Sequence, residues 1–87
     1  AQSLVFLNDP LVHELAEFWA VRILDDTTLE SDRSRADRMW RTAFAVEPSD
    51  RDLDAIVSFV AAGDDRIERW TDVAHVLFNT KAFIYLD

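Results

Sequence analysis

Two histidines and a set of scattered carboxylates are the side chains of this 87-residue sequence best suited to chemistry. His13 and Glu17 stand four residues apart in HELAE, a spacing that puts both on one face of a helix. A helical zinc site of the HExxH type needs a second histidine where Glu17 stands and a third ligand from elsewhere. The other histidine, His75, lies far along the sequence, so His13 reads as a solvated side chain among acidic neighbours. Asp50, Asp52 and Asp54 alternate in SDRDLD as at the start of a calcium loop. Such a loop needs Gly at its sixth position and a bidentate Glu at its twelfth, where this chain has Ala55 and Ala61. The pairs Asp25–Asp26 and Asp64–Asp65 fall at helix boundaries, where turn and capping duties account for them. With no Cys, no GxSxG, no glycine-rich phosphate loop and no SxxK, an activated nucleophile lacks its parts. We therefore assign no catalytic, metal-ligating or cofactor-binding residue, and expect no cofactor.

The elements that would position these residues are helices. Asn8 or Asp9 can cap a helix that begins at Pro10, where a missing N–H costs nothing. Leu11, Val12, Leu15, Phe18, Trp19 and Ile23 then recur at helical spacing, predicting a helix over 10–24. Ala36, Met39, Trp40, Ala43 and Phe44 follow i, i+3, i+4, i+7, i+8 and predict a second over 32–45, with Asp37–Arg41 as a surface pair. Ser49 opens a capping box, and Leu53, Ile56, Val57 and Val60 give a third over 50–62, with Gly63 as its C-cap. Ile67, Trp70, Val73, Ala74, Leu77 and Phe78 predict a fourth over 65–79, with Asp65–Arg69 as an exposed pair. The three tryptophans Trp19, Trp40 and Trp70 sit on stripes of different helices, so packing into one core is the expectation. The tail KAFIYLD is too apolar to hang free. We expect Phe83, Ile84, Tyr85 and Leu86 to pack back on the bundle or to dock on a partner.

Composition agrees. Apolar residues make up 49% and charged residues 30%, the balance of a globular chain, with one Gly and two Pro, too little turn chemistry for a strand-rich fold. A 10 kDa chain can bury about 64% of its extended surface, enough for one small core and no deep substrate cleft. Net charge is −8, which argues against nucleic acid as a partner. Residues 31–48 depart from that trend, with four bases against three acids. No run of about 18 apolar residues is present, so membrane insertion is not expected. The chain opens on Ala1, and we read it as a processed or excised piece of a longer protein.

Three strings, LVFLNDPLVHELAEFWAVRIL, RADRMWRTAFAVEPSDRDLDAIVSFV and DRIERWTDVAHVLFNTKAFIYLD, together cover nearly the whole chain. In that order they resemble the Planctomycete-specific C-terminal domain of unknown function. The resemblance implies the C-terminal end of a large exported bacterial protein, often one that also carries a cytochrome-c-type haem domain. Any haem would belong to another domain, because no CxxCH is present here. It also implies an extracytoplasmic location, periplasmic or exported. Where such domains commonly have a glycine between their second and third helices, this chain reads Phe44–Ala45–Val46–Glu47–Pro48, which removes a residue that could supply a left-handed helix stop.

The sequence thus predicts one all-α domain over residues 1–87, a small four-helix bundle with short connections. Its expected function is non-catalytic: packing against the remainder of a parent chain or against a partner protein. The alternative is an independent small acidic adaptor that docks its apolar tail, Phe83–Leu86, on a partner. An enzymatic role would require His13, His75 and acids to converge.

Overall fold

A computed structural model describes residues 10–85, with side chains through Thr80. Four helices follow one another: α1 (Pro10–Asp25), α2 (Asp32–Phe44), α3 (Asp50–Ala61) and α4 (Arg66–Tyr85). The all-α four-helix bundle read from the periodicity is the observed architecture. The largest boundary difference is in α4, which runs on through Tyr85 instead of ending near residue 79. No Gly or Pro interrupts it, and its polar residues keep to the helix. Asn79 Nδ2 donates to the His75 carbonyl at 3.1 Å and Thr80 Oγ1 to that of Val76 at 2.8 Å.

Each connection has a local cause. After α1, the Thr28 N–H and hydroxyl both donate to Asp26 Oδ1, at 2.9 and 2.6 Å. This Asx turn delivers Leu29, only 7% exposed, into the core. Ser31 then caps α2 in a reciprocal box with Ser34. α2 stops in a left-handed residue, Ala45 (φ 58°, ψ 23°), whose N–H donates to the Arg41 carbonyl at 2.8 Å. The helix stop therefore persists with alanine in the position glycine favours. Ser49 Oγ accepts from the Asp52 N–H at 3.1 Å and starts α3 as expected.

Gly63 does not play the predicted part. The C-cap of α3 is Ala62 in a right-handed conformation, and no glycine has positive φ. What the glycine provides is room, because a Cβ there would collide with the Arg69 side chain. Arg69 lies across this gap with its guanidinium 4.6 Å from the centroid of the Phe59 ring. Asp65 accordingly caps α4 by accepting from the Glu68 N–H at 3.0 Å, in place of the expected Asp65–Arg69 pair.

The helices bury the stripes their spacing marks, except at one position of α4 and along most of α1. Ala36, Met39 and Ala43 of α2, Leu53 and Val60 of α3, and Trp70, Val73, Ala74 and Leu77 of α4 form the core. Trp19 and Trp40 pack against its edge, so the three indoles serve one core as expected. Ile67, predicted inside, is 45% exposed. The larger departure is α1. Its buried residues are Ala16, Ala20 and Ile23, while Leu11, Leu15 and Phe18 face outward. Small residues let backbones approach closely, and α1 packs chiefly against α4. Among the described residues α1 and α3 do not touch, and α2 and α4 lie between them.

A candidate interaction surface

Most polar side chains singled out above are engaged in holding helix ends together. Arg33 donates to Asp50 and, at 3.1 Å, to Asp54, joining the start of α2 to the start of α3. Asp52, the middle member of the SDRDLD trio, accepts from the Ser49 hydroxyl at 2.9 Å. Asp32 collects Arg35 at 2.8 Å and Arg66 at 2.7 Å. The hydrogen bond from Arg66 holds its carboxyl below the usual range, against partial burial that acts the other way. Asp37–Arg41, at 2.9 Å, is the surface pair the spacing predicted. Among the described residues no three His, Asp or Glu side chains gather as a metal-binding group.

The two histidines, far apart in sequence, do meet. The His13 and His75 rings lie edge to face with centroids 6.3 Å apart, across the α1–α4 contact. Nothing in their spacing foretells this, because the pairing depends on how the two helices cross.

An open groove of about 510 Å³ lies between α1, α2 and the second half of α4. Phe18 and Trp19 of α1, Thr42 of α2, and Leu77 and Phe78 of α4 line it, over Ile23 and Ala43. Trp19 and Phe78 meet edge to face at 5.3 Å. Arg38 and Asp26, 3.6 Å apart, close one end. The Asp26 carboxyl is held low first by the two Thr28 hydrogen bonds, with Arg38 adding to them. At the mouth Phe18 is 62% exposed, and the Arg22 guanidinium stands 5.8 Å from its ring centroid. A concave, mostly aromatic and aliphatic surface with an arginine at its edge has the composition of an interface anchor site.

The predicted interaction residues fall differently. Phe83, Ile84 and Tyr85 belong to the backbone of α4, so the segment continues the helix, but their side chains lie outside the described residues, and so does all of Leu86. Sequence reasoning missed the groove because it assigned Leu15 and Phe18 to the core. The signal that could have found it is the width of the apolar arc on α1: residues 11, 15 and 18 and residues 16, 20 and 23 cannot all face one neighbour.

The molecule so defined is a small all-α four-helix bundle with an exposed aromatic groove. No known protein family, curated protein or solved structure matches the chain. Among the described residues no helix is long and apolar enough to cross a membrane.

Proposed function

We propose that this chain is a non-catalytic helical domain that works by packing against protein, either the remainder of a longer parent chain or a separate partner. The observation that carries this reading is the groove itself, a concave and mostly apolar surface between three helices. The three-string resemblance adds the C-terminal end of an exported, haem-associated bacterial protein as the parent. It also adds an extracytoplasmic location.

The test supplies in trans the polypeptide encoded upstream of Ala1 in the same reading frame. The expected result is a one-to-one complex that Thr42→Trp weakens by about tenfold or more while thermal stability holds, because Thr42 is an exposed groove residue. Binding untouched by Thr42→Trp would remove the groove from the proposal. The His13–His75 contact provides the check on the non-catalytic part. Zinc or nickel in modest excess is expected to leave the unfolding temperature unchanged, since a ligand that binds only the folded state raises it. A rise abolished by His13→Ala or His75→Ala would overturn that part.

A further inference from the structure

The groove between α1, α2 and α4 inverts the charge balance of the chain. The sequence has 17 acids against 9 bases, but the ionisable side chains lining the groove are Arg22, Arg38 and Asp26, two bases to one acid. Both arginines have donors to spare. Among the described residues Arg22 enters no ion pair, and its exposed guanidinium stands beside the Phe18 ring. Arg38 is half exposed and meets Asp26 Oδ2 only at 3.6 Å, too far for a hydrogen bond. Asp26 is held independently, because its Oδ1 accepts both shorter bonds from Thr28. A guanidinium offers its donors in a planar fork that fits a carboxylate, and here two such forks border an aromatic wall.

We infer that the occupant of this groove is an acidic amphipathic protein segment, with apolar side chains seated against Trp19, Leu77 and Phe78 and carboxylates beside them on Arg22 and Arg38. The inference rests on the reading of the groove as a protein-docking site and adds the chemistry of the partner. A basic segment would set its cations against two guanidiniums, a like-charge contact that costs affinity. A small free acid is the poorer occupant, because small-ligand sites bury about 70–90% of their ligand and this groove is open. A second copy of the chain would bring a net charge of −8 against −8. A short segment brings only the few carboxylates that the arginines meet. At physiological salt the chain's other acids are screened beyond about 8 Å, so the contact pairs decide.

Three synthetic peptides test this on the full chain by calorimetric titration. They share apolar anchors at i, i+4 and i+7 and differ only in flanking residues, which are Glu, Gln or Lys. The Glu peptide is expected to bind one-to-one, about tenfold tighter than the Gln peptide and tighter still than the Lys peptide. Arg22→Gln with Arg38→Gln should erase that advantage. Asp26→Asn removes the groove's own negative charge while keeping an acceptor for Thr28, and should tighten the Glu peptide a few-fold. A gain of affinity cannot come from a misfolded variant. Equal affinity for the three peptides, preference for Lys, no binding by any of them, or weaker Glu-peptide binding in Asp26→Asn would overturn the inference. So would dodecanoate binding as tightly as the Glu peptide, or a dimer that the Glu peptide does not dissociate. The docking reading fails separately. If the complex with the upstream polypeptide is weakened by Thr42→Trp but not by the double arginine variant, the groove remains a docking site and only the acidic partner falls.

Discussion

Arg66 reaches back 34 residues to grip Asp32, donating to Oδ1 at 2.7 Å and to Oδ2 at 3.4 Å. The fork fastens the first turn of α4 to the first turn of α2, where the carboxylate also faces the positive end of the α2 dipole. Because the folded carboxyl titrates below its ordinary value of 3.8, the contribution is complete above that pH and fades as acid drives the pH down through the folded pKa. Asp32→Asn is expected to cost about 1 kcal/mol at neutral pH, the upper end for a partly exposed pair. The gap between variant and wild type should narrow as the pH falls below 3.8 and the folded carboxyl takes up its proton. Thermal unfolding of both proteins between pH 2 and 7 checks this, and a gap constant across that range would remove the ion pair as its cause.

Ala45 sits in the left-handed region at φ 58°, where an L-residue with a Cβ is strained by about 1–2 kcal/mol. Glycine has no such penalty, although it loses more backbone entropy on folding. Ala45→Gly is therefore expected to stabilise the bundle by about 0.5–1 kcal/mol. At roughly 4–8 °C per kcal/mol for a domain of this size, calorimetry would register a rise of a few degrees. A lower melting temperature would mean that the turn is held by something other than this conformation.

The α1–α4 contact depends on small side chains. Ala20 is fully buried, whereas Val76, on α4, is 62% exposed. Ala20→Leu is expected to destabilise by about 1–3 kcal/mol through overpacking. Val76→Ala should stay within about 0.5 kcal/mol. Urea unfolding of the two variants separates a tight helix crossing from a loose one, and equal effects would show that α1 does not rely on close approach at Ala20.

How far the sequence discloses the fold depends on how each helix divides its apolar residues. In α2, and in α3 apart from the exposed Phe59, the large apolar residues fall on one arc, so periodicity and burial coincide at Met39, Leu53 and Val60. In α1 they fall on two arcs. Periodicity weighs Leu11, Leu15 and Phe18 above Ala16 and Ala20, while packing selects the alanines because they let α4 come close. Glycine misled in the opposite sense. Gly63 was read for its backbone freedom, but its missing Cβ leaves space for Arg69, and the left-handed turn fell to Ala45, which carries no turn signal. The interaction surface was the least legible part. The groove and the His13–His75 contact are products of how three helices cross, and a one-dimensional pattern holds no crossing angles.

The three tryptophans occupy three different environments: Trp70 is fully buried, Trp40 packs on Phe44 at 4.8 Å, and Trp19 forms a wall of the groove against Phe78. The molecule thus carries its own set of fluorescent reporters. Trp70 responds when the whole bundle comes apart, and Trp19 when something enters or leaves the groove. Two variants that keep one or the other indole, with Phe at the remaining positions, would let unfolding and docking be followed as separate signals in one unlabelled chain.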